Sequence, residues 1–310
     1  MLCVEAVERV LEQLVEPLAG LASVVRANAN ITVAWNFMVR PTAPRASWPG
    51  ERPSSCDLPP SRATIDLLTA GLPADPVVDV ALSHALLEDV TARRRRPALR
   101  IFRPGPTAAF GRLDALLPGF SRACGRARQH GLIPLVRLVG GHAAVYDERC
   151  VVVEELSAEE DVIAGLQMRF EQQSQRLRRA LCELGADARI GELPGEYCPG
   201  AHSINVGGRI KVVGIAQRAI RRGALTSAVV VCGGGAQLRA VIESLYAALD
   251  IEIDRGTAGS LDEELPDATP EVVAQRIAAS YAREWRLEPR ELDADLLGRA
   301  RGLAARHRAL

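Results

Sequence analysis

GEYCPGAHSINVGGRIKVVGIAQR, residues 195–218, is the stretch from which the rest of the chain is read. It holds a thiol (Cys198), a lysine (Lys211), five glycines and a glutamine (Gln217) within 24 positions. Pro199 fixes its own backbone and biases Cys198 away from helix, and Gly200 permits a tight turn. A cysteine on such a turn is exposed rather than packed into a helix face. A free thiol is mostly protonated at neutral pH, so a cation must sit near it for it to act as a nucleophile. Lys211 is the candidate, because Gly207 and Gly208 let the chain double back as a hairpin between short strands at Ile204–Val206 and Lys211–Ile215. Taken singly, a cysteine is more often a small buried hydrophobe and a lysine an exposed charge. Gly214 suits either close backbone approach to a ligand or packing, and Gln217 offers both a donor and an acceptor.

Upstream, Arg137-Leu-Val-Gly-Gly-His-Ala-Ala-Val-Tyr146 ends one strand in two glycines and begins another. Gly140 and Gly141 can present backbone N–H groups to an oxyanion. Arg137 can orient a polar group. His142 can act as a base, although a lone histidine is more often structural. Around these blocks, Asp75 caps a helix that starts at Pro76 and ends near Arg93–Arg96. Further strands are expected at Leu99–Phe102, Leu132–Leu138, Val151–Val153, Arg189–Ile190 and Ala228–Val231. Further helices are expected at Phe120–His130, Ala158–Leu184 and Leu238–Leu249. Thr269-Pro270 opens another helix, and the chain beyond it is helical and charged. Strands in adjacent hairpins, with helices at intervals, give an α+β class with mixed, largely antiparallel sheets rather than a regular βαβ series.

Composition narrows the function. The chain has 310 residues with 48% hydrophobic and 25% charged, and Lys plus Arg balance Asp plus Glu at 38 each. No net field draws it to nucleic acid or to a membrane surface, and no apolar run reaches the ~18 residues of a membrane span. Arginine dominates the basic side, so Lys211 stands out. The Arg93–Arg96 run reads as a helix terminus complementing the dipole more readily than as a nucleic-acid patch. Seven cysteines at irregular spacing indicate neither a disulfide framework nor a metal site, which fits reduced thiols in the cytoplasm. No secretion signal is expected. Residues 228–238 imitate a strand, glycine loop and helix of a dinucleotide site. Leu238 stands where Gly or Ala is required, however, and no βαβ unit surrounds the loop.

Together the two blocks resemble the biotin/lipoate protein ligase and lipoyl/octanoyl transferase superfamily, through Arg137-x-x-Gly140-Gly141-x-Ala143 and Lys211-x-x-Gly214-x-Ala216-Gln217 in that order. The resemblance runs from about Asp75 to Leu249. It implies sheets flanked by helices as in class II aminoacyl-tRNA synthetases and biotin ligases. Tyr197-Cys198-Pro199-Gly200, upstream of the lysine, is similar to the Cys-dependent octanoyl amidotransferases. That similarity implies Cys198 as acyl-thioester nucleophile, Lys211 as the residue that ionises it, and Arg137, Gly140, Gly141, His142, Gly214 and Gln217 about the substrate. His142 and Val139 depart from the family's usual residues, which bears on the acyl pocket. Val145 and Val213 are expected to line that pocket.

The implied activity is transfer of an octanoyl or lipoyl group to a lysine of a lipoyl carrier domain. The partners implied are the glycine-cleavage H protein, a 2-oxoacid dehydrogenase E2 or acyl carrier protein, with no cofactor. An ATP- and Mg²⁺-dependent lipoate–protein ligase and a non-catalytic acyl- or carrier-binding protein are the alternatives. The organisation expected is a poorly ordered extension over 1–62 with a short helix at Val4–Val25, in which Trp35 and Trp48 alternatively mark a docking segment. A catalytic domain over 63–262 and a helical accessory segment over 263–310 follow it.

Overall fold

The computed structural model describes residues 62–309; the expectations for residues 1–61 lie outside that range. An eight-stranded sheet organises these residues, in the order β11-β1-β2-β6-β10-β9-β8-β7. Its strands are β1 (Thr64–Leu68), β2 (Ala98–Phe102), β6 (Cys150–Ala158), β7 (Ala188–Ile190), β8 (Ile204–Val206), β9 (Ile210–Ile220), β10 (Gly223–Val231) and β11 (Arg286–Pro289). Pairing is antiparallel from β2 through to β7 and parallel at the β2–β1–β11 edge. A second sheet of three strands, in the order β4-β3-β5, comprises β3 (Thr107–Phe110), β4 (Ile133–Val136) and β5 (Ala144–Tyr146). The expected mixed, mostly antiparallel α+β class is the one observed.

Both faces of the large sheet are covered. Helices α3 (Leu166–Glu183) and α5 (Pro270–Tyr281) pack against Val151, Val153, Val213, Ala228 and Val230. On the other face α1 (Pro76–Thr91) and α6 (Ala294–Leu303) pack against Leu68, Leu156 and Leu225. The small sheet closes against α2 (Phe120–Gln129) and α4 (Gly235–Ala248). Burial on both faces explains why β6 and β10 read as continuous apolar runs rather than as alternations. The capping logic holds at both expected helix starts. Asp75 accepts from Val78 N at 3.1 Å before Pro76, and Thr269 accepts from Val272 N at 3.4 Å before Pro270.

Three boundaries differ from expectation. The helix placed at Ala158–Leu184 begins only at Leu166, because β6 continues through Glu154, Glu155 and Ala158. Those carboxylates enter the sheet with partners: Glu154 takes the Ser83 hydroxyl at 2.6 Å, and Glu155 takes the Tyr281 hydroxyl and Arg176. Burying a charge this way requires such partners, and local periodicity does not reveal them. Residues 263–310 are also not a purely helical appendage. They supply β11 to the main sheet and α6 to the α1 face. Lastly, β1 and β3 were not foreseen, each being short with few β-branched residues.

The arginine run after α1 is not a freely solvated terminus. Arg94 and Arg95 both bond Asp89 at 2.9 Å, Arg96 bonds Asp66 at 2.6 Å and Glu288 at 2.7 Å, and Arg93 bonds Glu160 at 2.9 Å. The run ties α1 to the C-terminal segment. No described helix is long and apolar enough to cross a membrane.

Candidate active site

Cys198 lies in the connection from β7 to β8, with φ at +44°. The residue avoids the right-handed helical region, as Pro199 requires, but enters the left-handed one. That conformation costs a non-glycine residue about 1–3 kcal/mol and persists only where its surroundings enforce it. Lys211 on β9 supplies the enforcement. Its ammonium donates to the Glu196 carboxylate at 2.8 Å, to the Tyr197 carbonyl at 2.9 Å and to the Cys198 carbonyl at 2.7 Å. Glu196 is anchored in turn by the Ser203 hydroxyl at 2.7 Å and the Leu193 N–H at 2.9 Å. Lys211 and Glu196 are 1% and 2% exposed, so removing either would leave the other buried without its partner. The hairpin that returns Lys211 beneath the loop turns at Gly207 and Gly208, with φ of +61° and +69°, as their sequence demands.

This arrangement departs from the role expected for Lys211. An ammonium has three protons, and all three are committed to Glu196 and two backbone carbonyls, leaving none for the sulfur. The cation at the thiol is Arg137, whose Nη2 lies 3.4 Å from Cys198 Sγ and also donates to the His142 carbonyl at 2.7 Å. Arg137 Nε is buried without a hydrogen-bond partner. Lys211 therefore shapes the turn, and Arg137 faces the sulfur. Glu196 had escaped the sequence reading. Its only signal was position, as the one carboxylate in the segment carrying the chain's only lysine.

The glycine pair lies against the same sulfur. Gly141 has φ of +85°, and a Cβ there would stand 2.7 Å from Cys198 Sγ and 2.6 Å from Arg137 Nη2. Glycine is thus required at Gly141 twice over, by conformation and by space. The Gly140 N–H donates to the Gln217 carbonyl at 3.2 Å, which removes it as an oxyanion donor. The Gly141 N–H has no partner among the described residues.

His142 turns to Asp114, with Nδ1 at 2.7 Å from the buried carboxylate, which also accepts from Gly111 N at 2.8 Å. The Gln217 side chain is engaged elsewhere. Its oxygen accepts from Arg169 Nε at 2.9 Å and its nitrogen donates to the Leu166 carbonyl at 2.9 Å, pinning the start of α3 to β9. Gly214 leaves room for Lys211: a Cβ there would meet Lys211 Cε at 3.5 Å.

A cavity runs inward from Arg137, Cys198 and Lys211, between the α1 face of the large sheet and the small sheet. Its aliphatic wall includes Val139, Val145, Val152, Leu225 and Val229. At its α1 side it meets Asp79, Ser83 and Glu154, which are held by the buried Arg100. Val145 thus lines the cavity as expected. Val213 does not; it packs in the core beneath α3.

Three other thiols are buried, whereas Cys198 is part-exposed and Cys182 exposed. Burial pushes Cys150 up to about 12 and raises Cys124 and Cys232 as well, so these three stay protonated and inert. Among the described residues no cluster of His, Cys, Asp and Glu could hold a metal ion. The glycine loop after β10 is filled. Gly235 N donates to Ser260 Oγ at 2.8 Å, and Gly234 N points to Asp262 at 3.4 Å. Carboxylates occupy the place a phosphate would need.

A family model described as the lipoyl protein ligase A/B catalytic domain matches residues 75–282. An octanoyl-[GcvH]:protein N-octanoyltransferase from Geobacillus kaustophilus is 29% identical over 217 residues, covering 69% of this chain and 74% of the relative. The protein of the same name from Bacillus velezensis is 26% identical over 227 residues, covering 73% and 77%. Among solved structures, a lipoate-protein ligase A bound with ATP superposes with a TM-score of 0.63 at 17% identity, covering 78% of this chain and 94% of that one. A bipartite lipoate protein ligase from Thermoplasma acidophilum gives 0.61 at 16%, covering 78% and 92%. At those identities the structural likeness concerns the fold.

Proposed function

This chain belongs to the lipoyl protein ligase A/B catalytic domain family, and we propose that it is a protein N-octanoyltransferase that works through a thioester on Cys198. The donor in this reading is the octanoylated glycine-cleavage H protein, and the acceptor is a lysine of another lipoyl carrier domain such as a 2-oxoacid dehydrogenase E2. Relatives bearing that activity in their names support it. The observation that carries it is the placement of Cys198: on a strained turn at the head of an aliphatic cavity, its sulfur 3.4 Å from a guanidinium.

The reaction is covalent ping-pong catalysis. The Cys198 thiolate attacks the acyl carbon, a C–S bond forms and the donor's C–N bond breaks, and the departing lysine nitrogen takes up a proton. The acceptor lysine, as a free amine, then attacks the thioester; a C–N bond forms, the C–S bond breaks to release the thiolate, and the amine's surplus proton passes to solvent. The Gly141 N–H and the unpartnered Arg137 Nε–H are the donors placed to receive the oxyanion. Lys211 and Glu196 position the nucleophile. The octanoyl tail lies along Val145, Val152, Leu225 and Val229. The acyl group arrives and leaves bonded to a carrier, so the reaction calls on neither ATP nor Mg²⁺. A reactive thiol of this kind suits the reducing cytoplasm.

Intact-mass measurement tests the proposal. Mixing the protein with octanoyl-H protein, without ATP, is expected to add one octanoyl group to the wild type and none to Cys198→Ala. No adduct on the wild type, or an adduct that persists on the variant, sinks it.

A further inference from the structure

Several described arginines, Arg178, Arg221 and Arg301 among them, form no ion pair, and three such residues are set on backbone that meets the segment from Val136 to Gly141. Arg112, Arg218 and Arg306 form no ion pair among the described residues, and Arg218 Nε is buried with no hydrogen-bond partner at all. Each grows from backbone that touches the segment leading to the nucleophile. Arg112 follows Gly111, where a Cβ would stand 1.8 Å from the Gly141 carbonyl. Arg218 follows Gln217, whose carbonyl receives the Gly140 N–H. Arg306 precedes His307, which bonds the Val136 carbonyl at 2.9 Å and His84 at 3.1 Å. After burial, Arg112 is what pushes Arg218 down, and Arg306 and Arg218 both act against a proton on His84. Beside Arg112, Leu113 and Leu116 are 69% and 67% exposed on a turn pinned by Asp114 to Gly111 and His142.

Like charges gathered without a counter-ion are unfavourable unless a partner supplies one. We propose that Arg112, Arg218 and Arg306, with Leu113 and Leu116, form the docking face for an acidic carrier domain whose carboxylates flank the acyl-bearing lysine. This inference rests on the transferase reading above. A bare lysine is repelled by such a face, so its carrier must bring negative charge around it. Arg112 and Arg218 follow residues whose backbones meet Gly141 and Gly140. The longer phosphopantetheine arm would place its phosphate farther from the thiol.

The test uses the full chain as wild type, Arg112→Gln/Arg218→Gln and Arg112→Glu/Arg218→Glu. Charging of Cys198 by the uncharged thioester octanoyl-N-acetylcysteamine is expected to be equal within about twofold in all three, since no docking is involved. Discharge onto the H protein is expected to show KM about tenfold higher or more in the double glutamate variant, with kcat little changed and a flattened salt dependence. Replacing the carboxylates next to the carrier's acyl lysine with lysines should restore discharge on the glutamate variant. Carrier binding to uncharged enzyme, measured calorimetrically, should fall in parallel and decides the docking question even if Cys198 never charges; failure of the wild type to charge counts against the transferase reading alone. Unchanged KM and binding overturn the proposal. So does an equal loss of charging by the small thioester, or a loss confined to charging from acyl carrier protein, which assigns the arginines to a phosphodiester.

Discussion

Two glycine loops of this chain meet very different surroundings. Gly140 and Gly141 lie in the connection from β4 to β5, Gly141 against the sulfur of Cys198, with an N–H and a guanidinium N–H left unpartnered. Gly233, Gly234 and Gly235 also follow a strand and open a helix, yet Ser260, Asp262 and Glu263 fill the space before them. The first loop is open toward the Cys198 sulfur and the second is closed by the protein itself. A glycine motif carries chemistry only where its N–H groups remain unspent, and that depends on residues far away in sequence.

The comparison can be broken most forcefully at Gly141. Gly141→Ala puts a methyl group into the space between Sγ and Arg137, and octanoyl transfer is expected to fall by about a hundredfold or more. Acyl-enzyme formation followed by mass gives the readout; retention of transfer would show the open loop to be incidental. Next in size is Lys211→Met, which abandons the buried Glu196 carboxylate. It is expected to destabilise the fold by about 3–5 kcal/mol in denaturant titrations, with Glu196→Gln/Lys211→Met recovering part of the loss. At the closed loop, a Cβ on Gly235 would stand 1.9 Å from Glu263 Oε1. Gly235→Ala should therefore lower stability by about 1–3 kcal/mol while the folded enzyme keeps its transfer rate. Loss of activity with unchanged stability there would reverse the comparison. Gly140→Ala is the mildest change, since the nearest atom to a new Cβ is the Gln217 carbonyl oxygen at 3.9 Å; its stability cost should stay within about 1 kcal/mol.

A further measurement sharpens the roles assigned to the two cations. Iodoacetamide at neutral pH should alkylate Cys198 well before Cys150, which burial pushes up to about 12. Arg137→Gln should slow that alkylation more than a Lys211 variant that still folds. The reverse order would return the ionising role to Lys211.

What was legible in the sequence was local. The Pro199 restriction, the double-glycine hairpin, the Asp75 and Thr269 caps and the continuous apolar strands are dictated by residues within a few positions of each other. What escaped is long-range. Glu154 and Glu155 fall between the expected strand at Val151–Val153 and the expected helix from Ala158, and their place in the sheet shows only when Arg100, Ser83, Arg176 and Tyr281 are seen to receive them. Lys211 looked like the thiol's partner because it lies on the same hairpin. Arg137 comes from the small sheet and reaches the sulfur across 61 positions of chain. The pairing of β11 with β1 joins residues more than 200 apart, and no periodicity announces it.

The buried bond between Lys211 and Glu196 has a consequence for how the protein meets its own product chemistry. An enzyme that carries an activated acyl group beside a lysine-bearing partner is exposed to acylating itself. Among its 310 residues the sole lysine is Lys211, sealed from solvent and bonded to a carboxylate and two carbonyls. No side-chain amine of the protein competes with the acceptor. In a mixture of enzyme and carrier, amide-linked octanoate on a lysine should therefore belong to the carrier, and hydroxylamine-labile octanoate to the enzyme.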